Sequence, residues 1–354
     1  MAHTTSDVNI LKIEQLISPE ELERKLPITP KVAETVLEGR TEIQDILHGY
    51  DDRFLMIVGP CSIHDEKAAI EYATRFKELS DQVKDKVLLV MRVYFEKPRT
   101  SLGWKGLVND PNLDGTSDIP KGLHTARSLL LTLADMGVLS ATEFLDPIVP
   151  QYIANLVSWA AIGARTTESQ MHREMASGLS MPVGFKNGTD GNSQIAVDAM
   201  KTSRAPHAFL GIDLEGRNAV VRTNGNPYSH LILRGGTHGS NYEAKTVAEV
   251  QAVLHKANLP PQLMVDCSHA NSDKDHNKQG IALRDVLGQR KAGNNDIVGV
   301  MVESNLMPGN QALGENPSTL EYGVSITDAC IGWDETVSLV TWAHSELQTK
   351  QPVA

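Results

Sequence analysis

The chain has 354 residues, three cysteines and a formal net charge of -11 at pH 7. That length admits one large α/β barrel or two modest domains, and the acidic balance opposes coating of nucleic acid or anionic membrane while still permitting a local basic pocket for anionic metabolites. Three cysteines cannot form a disulfide framework, no apolar run reaches the length of a membrane span, and the first residues lack the basic-then-apolar order of a secretion signal, so a cytoplasmic protein with reduced thiols is expected.

Residues 1–50 read as an extension ahead of the main unit. Ile10, Leu11 and Ile13 suggest a short strand or contact. Ser18, Pro19 and Glu21 place a capping hydroxyl, a first-turn proline and a third-position glutamate at a helix start, and a second helix is expected over 30–47. From Arg53 onward, short apolar runs alternate with polar loops and helical stretches. Strands are expected at 54–58, 88–93, 139–142, 159–162, 183–186, 230–234, 263–266 and 297–302. Helices are expected at 66–79, 121–136, 151–157, 168–176, 193–202, 244–255, 278–289 and 335–347. Eight near-continuous apolar strands in such an alternation suit a closed parallel barrel, with an open doubly wound sheet as the other arrangement. Segments 207–212 and 218–222, joined by DLEGR, break the alternation and read as a hairpin inserted before the sixth barrel strand.

In a barrel, every strand opens its carboxyl end onto one face, so polar residues distant in sequence meet there. The first such group is basic: Arg92, Lys97, Arg99, Arg165, Lys186 and Arg234. One cation at a strand end is usually an ordinary salt-bridged group. Six at one mouth need anions to offset their repulsion, and arginine forks match phosphate and carboxylate oxygens. Thr100 and the backbone around Ala164 could add donors. The second group offers metal ligands: Cys61, His269, Glu303 and Asp328, with Cys267 and Cys330 as competing thiols. Such a mixture accepts several divalent ions. Burial as a small apolar side chain remains an equal reading of Cys61. His64, His172 and His276 are open between supporting and surface roles. There is no GxGxxG after the first strand and no GxxxxGK[ST], so a nucleotide site lacks its usual signature.

GPCSIHD, MRVYFEKPRTSLGWKG, GARTTESQ, PVGFKNGTDG, HLILRGG, VDCSHANS and VMVESNL follow one another along nearly the whole chain. With them the sequence resembles the bacterial and fungal type of 3-deoxy-D-arabino-heptulosonate 7-phosphate (DAHP) synthase. The resemblance implies a (β/α)8 TIM barrel with an N-terminal extension and the inserted hairpin. It implies condensation of phosphoenolpyruvate with erythrose 4-phosphate at the head of aromatic amino acid biosynthesis. One divalent metal ion per subunit, Mn2+, Fe2+, Co2+ or Zn2+, is expected on Cys61, His269, Glu303 and Asp328. Arg92, Lys97, Ala164, Arg165, Lys186 and Arg234 match the phosphoenolpyruvate site, Arg99 and Thr100 the sugar-phosphate site, and Glu143 and His172 residues near the pocket. Lys97 is the candidate proton donor near the aldehyde, and His269, Glu143 or a metal-bound water the candidates for the remaining proton handling.

The same resemblance divides the chain into a regulatory and assembly extension, 1–50, and a catalytic barrel, 51–354, carrying the hairpin at about 205–225. It implies a homodimer or homotetramer and an effector site of Asp146, Pro150, Gln151, Leu179, Ser180, Phe209, Gly211 and Val221. Gly211 favours tyrosine over phenylalanine, because phenylalanine-responsive relatives tend to carry serine there and glycine leaves room for the phenolic hydroxyl. Octulosonate 8-phosphate synthase, which uses arabinose 5-phosphate, is the nearest alternative enzyme; KPRTS and the long extension argue against it. A barrel that only binds metabolites is the alternative from another class.

Overall fold

The computed structural model describes residues 5–348, so 1–4 of the expected extension and 349–354 of the expected barrel unit lie outside the described residues. Ten strands occur among them: β1 (Phe54–Gly59), β2 (Val87–Arg92), β3 (Ser140–Glu143), β4 (Trp159–Ile162), β5 (Val183–Lys186), β6 (Ala208–Ile212), β7 (Asn218–Arg222), β8 (Ser229–Leu233), β9 (Leu263–Asp266) and β10 (Ile297–Glu303). Eight of them close in the order β1-β10-β9-β8-β5-β4-β3-β2, all parallel, while β6 and β7 form a separate antiparallel pair. Their side chains explain the closure. Every residue of the eight barrel strands is buried, on inner and outer faces alike, as expected when helices cover the outside and side chains fill the inside. The open doubly wound sheet is thereby excluded.

The expected strands recur within a residue or so at each end. The hairpin pairs Phe209 with Val221 and Gly211 with Ala219, leaving Leu210 and Val220 exposed on its outer face. It precedes β8, the sixth strand of the barrel. Among the described residues the α-helices are α1 (Pro19–Lys25), α2 (Pro30–His48), α3 (Glu66–Val83), α4 (Ile119–Asp135), α5 (Pro150–Ile153), α6 (Gln170–Ala176), α7 (Gln194–Ser203), α8 (Ala244–Lys256), α9 (Gln279–Lys291) and α10 (Trp333–Gln348). Ser18 Oγ accepts the Glu21 N–H and Pro19 opens α1, the start expected from sequence. The helix expected at 151–157 is instead one α-turn continued by a 3-10 turn at Ala154–Leu156.

The expectation of a strand at Ile10–Ile13 is not met. Those residues form no strand with any described residue, and Ile10, Leu11 and Ile13 are exposed. The extension is nevertheless tied to the barrel: Arg40 donates to the Val157 and Ala154 carbonyls, and Arg127 donates to Leu26 O. No described helix is long and apolar enough to cross a membrane.

Candidate active site

A cavity of about 750 Å3 lies at the carboxyl ends of the barrel strands. Lys97, Arg99 and Thr100 reach it from the loop after β2, and Glu143 from the end of β3. Ala164 and Arg165 follow β4, Lys186 ends β5, and Arg234, His269 and Asp328 come from the loops after β8, β9 and β10. Ten of the residues singled out from sequence thus line one space. Arg92, Cys61 and Glu303 are fully buried and join it through their neighbours. Lys97 Nζ lies 2.9 Å from Cys61 Sγ, and Arg92 Nη2 donates to Glu303 Oε1 at 3.0 Å. His172 does not line the cavity. Its ring nitrogens lie 2.6 Å from Leu145 O and 2.9 Å from Ser169 Oγ, which makes it a brace between the segment after β3 and α6.

The cavity mouth is basic and its floor is acidic. Asp266, at the end of β9, was not singled out from sequence, yet it is fully buried. Its Oδ2 lies 2.7 Å from Lys186 Nζ and 2.9 Å from His269 Nδ1, the latter contact lying out of hydrogen-bond alignment. Burial favours the neutral acid, but its charge interactions with His269 and Lys186 hold Asp266 ionised well below the usual carboxylate range. Glu303 behaves alike: burial opposes its charge, and His269, Arg92 and Lys97 overcome that cost and lower it. Two buried polar atoms, Arg92 Nη1 and Glu143 Oε1, have no hydrogen-bond partner among the described residues. Such atoms cost stability unless something else meets them, which suits a floor built for a ligand. A Cβ at Gly163 would lie 2.2 Å from Glu143 Oε1, so a larger residue there would displace that carboxylate.

The donor set also fits a divalent cation. Ligand atoms of Cys61, Glu303 and Asp328 all fall within 4.8 Å of one another, and His269 Nε2 is 3.9 Å from Asp328 Oδ2. Burial and the nearby Glu303 push the Cys61 thiol up to about 11. A thiol so placed ionises readily only beside a strong positive charge, which Lys97 supplies in part and a bound cation would supply in full. His269 itself sits at φ +59, a conformation that turns its imidazole toward Asp328 at the price of left-handed backbone.

A family model described as the DAHP synthetase I family matches residues 25–341. The chain belongs to that family. It is 51% identical to the Tyr-sensitive phospho-2-dehydro-3-deoxyheptonate aldolase of Escherichia coli K12, covering 97% of this chain and 96% of that one. It is 54% identical to the Phe-sensitive form of the same organism, over 96% and 97%, and 50% identical to the Trp-sensitive form, over 98% and 99%. A solved phospho-2-dehydro-3-deoxyheptonate aldolase from Francisella tularensis SCHU S4 superposes with a TM-score of 0.94 at 50% identity, covering 97% of this chain and 100% of that one.

In this member of the DAHP synthetase I family, the residues expected around an effector fall into two neighbouring groups. Leu179 and Ser180 sit between α6 and the hairpin that carries Phe209, Gly211 and Val221. Ser177 Oγ meets Thr223 Oγ1 at 2.6 Å there, and Asn226 donates to Leu179 O. Asp146, Pro150 and Gln151 lie at α5 and just before it, and α1 links the two groups. Glu20 N donates to Leu214 O in the hairpin, and Tyr152 of α5 donates to Ile17 O. Sequence reading passed over Glu96. It is buried, and its carboxylate accepts the Leu145 and Asp146 N–H groups at 3.3 and 3.0 Å, joining the loop that carries Lys97 to the segment that carries Asp146. A lone glutamate beside a lysine carries no signal of that burial.

Proposed function

We propose that this chain condenses phosphoenolpyruvate with erythrose 4-phosphate and water, giving DAHP and inorganic phosphate. The observation that carries this reading is the single cavity in which Lys97, Arg99, Arg165, Lys186 and Arg234 converge above Cys61, Glu303 and Asp328. Two phosphate-bearing substrates account for the cations, and a metal accounts for the soft and hard ligands together. Membership of the DAHP synthetase I family supports the same reaction.

Arg165 and Arg234 take the phosphate of phosphoenolpyruvate, Arg92 and Lys186 its carboxylate side, and Arg99 with Thr100 the distal phosphate of the aldose. Ala164 adds its backbone N–H. Held this way, the enol C3 and the aldehyde carbon meet in what is nearly an intramolecular step. Cys61, His269, Glu303 and Asp328 would hold a divalent cation, which when bound would supply Lewis-acid polarisation of the aldehyde carbonyl. Lys97 Nζ, already 2.9 Å from Cys61 Sγ, delivers a proton to the aldehyde oxygen as the C–C bond forms. Water then adds to the electrophilic C2, and Glu143 Oε1, buried and unpaired, takes its proton. The bond from C2 to the bridging phosphate oxygen then breaks, the C2 hydroxyl gives its proton to the departing phosphate, and the ketone remains.

The metal is one of Mn2+, Fe2+, Co2+ or Zn2+. The protein works in the cytoplasm as a homodimer or homotetramer, with 1–50 and the hairpin serving regulation and assembly around a 51–354 catalytic barrel. Tyrosine is the effector, held by Asp146, Pro150, Gln151, Leu179, Ser180, Phe209, Gly211 and Val221. The test is phosphate release by metal-stripped protein with phosphoenolpyruvate and either erythrose 4-phosphate or arabinose 5-phosphate, before and after Mn2+ is restored. Metal-dependent release with erythrose 4-phosphate alone supports the assignment; release with arabinose 5-phosphate alone overturns it.

A further inference from the structure

Three buried asparagines form a continuous bridge beneath the basic side of the mouth. Asn187 directly follows β5, Asn241 lies in the loop after β8, and Asn271 lies in the 3-10 turn His269–Ser272 after β9. Asn187 is fully buried, and its side chain makes four hydrogen bonds, the full complement of an amide. Its Oδ1 accepts from Arg234 N at 2.8 Å and from Asn241 Nδ2 at 3.1 Å, and its Nδ2 donates to Gly188 O at 2.8 Å and Gly235 O at 3.0 Å. Asn241 Oδ1 accepts the Gly235 N–H at 2.7 Å, and Asn241 N donates to Asn271 Oδ1 at 2.9 Å. Asn271 Nδ2 donates to Leu233 O and Asp266 O, at 3.2 and 2.9 Å.

Five of the backbone groups that these amides hold, Arg234 N, Gly235 N and O, Leu233 O and Asp266 O, lie at or just after the ends of β8 and β9. Gly235 is gripped at both N–H and C=O, and its φ of +72 is maintained in a site where a Cβ would strike Ala270. Arg234 is fixed through its own N–H, one bond from the Cα that aims its guanidinium. Ordinary loop backbone would bond to water at these positions; here water is replaced by amides with no rotational freedom left. We propose that Asn187, with Asn241 and Asn271 behind it, is a positioning residue that preorganises Arg234 for the phosphate of phosphoenolpyruvate. Removing its amide takes the acceptor from Arg234 N and Asn241 Nδ2 and withdraws one donor each from Gly188 O and Gly235 O, which keep only Gly191 N and the long 3.4 Å contact of Arg234 Nη1. This rests on the assignment of Arg234 to that phosphate, made above.

The test is a double-mutant cycle with Asn187→Ala and Arg234→Ala, reading KM for each substrate and kcat. Asn187→Ala is expected to raise KM for phosphoenolpyruvate roughly tenfold or more with little change in KM for erythrose 4-phosphate. In the Arg234→Ala background the same change is expected to add almost nothing, because the group it aims is gone. Equal losses for both substrates, full additivity in the cycle, or an unchanged KM in folded Asn187→Ala overturns the proposal. Should Asn187→Ala fail to fold, Asn241→Ala, which frees Gly235 N, carries the same cycle and the same outcomes. Wild-type protein that does not use phosphoenolpyruvate at all overturns the functional reading instead, so the two failures are distinct.

Discussion

Glu96 makes stability fall as pH rises through neutrality. Burial raises its carboxyl to about 8, with the Leu145 and Asp146 N–H groups opposing that shift and Asp146 and Glu143 adding to it. In the unfolded chain the group titrates at the ordinary 4.5. Between those values the folded chain holds a proton that the unfolded chain has lost, so its contribution is complete below 4.5 and is lost as pH rises toward 8. The slope for one such group is about 1.4 kcal/mol per pH unit, which integrates over that window to a ceiling of about 5 kcal/mol. Some rehydration of the site lowers this, and about 2 kcal/mol is a reasonable expectation for a buried carboxyl. Glu96→Gln keeps one acceptor oxygen and never ionises. Urea unfolding of wild type and Glu96→Gln at pH 5.5, 7 and 8.5 isolates the group. The wild type is expected to lose stability relative to the variant as pH rises. Parallel stability curves would refute the reasoning, because they would mean that Glu96 is ionised throughout.

Other outcomes follow from the same structure. His230 acts on the acid side: burial lowers it from 6.5 to about 4, and Trp159 Nε1 donates to its Nε2, so it folds neutral and its contribution is lost as pH falls from 6.5 toward 4; His230→Phe should flatten that limb in urea titrations at pH 4.5 and 6.5. Cys61→Ser should keep the far-ultraviolet dichroism of the wild type while binding Mn2+ at least about tenfold more weakly, measured by equilibrium dialysis. Arg165→Ala removes a charged hydrogen-bond donor of about 1.5–3 kcal/mol, so KM for phosphoenolpyruvate should rise roughly tenfold to a hundredfold. Gly211→Ser places a Cβ 2.8 Å from Val221 Cγ2, and inhibition assays should find tyrosine about fivefold weaker or more, with phenylalanine less affected.

The barrel was legible because strands covered on both faces must be apolar almost without interruption, as FLMIV in β1 and VGVMV in β10 are. Their ends, where the run meets a charged residue, point directly at Arg92, Glu143, Lys186 and Glu303. The hairpin was visible for the opposite reason: its strands alternate half-buried and exposed positions around a polar turn. Ile10 and Leu11 look like strand residues but pair with no strand among the described residues, since apolarity specifies burial and not what does the burying. Glu96, Asp266 and Asn187 were passed over because each is a common polar residue in a loop or at a strand end, and only the tertiary fold removes it from water. His172 was placed near the pocket by resemblance, and its ring nitrogens meet Ser169 Oγ and Leu145 O.

The account stands or falls on joining the two substrates with cleavage of carbon–oxygen rather than phosphorus–oxygen. Phosphoenolpyruvate labelled with oxygen-18 in the bridging position would be incubated with erythrose 4-phosphate and the Mn2+-restored protein, and the products separated for mass spectrometry. The label is expected in inorganic phosphate, together with one heptulosonate phosphate formed for each phosphate released. Unlabelled phosphate accompanied by pyruvate, with no seven-carbon product, would contradict the account and leave the cavity as a site of simple phosphate-ester hydrolysis.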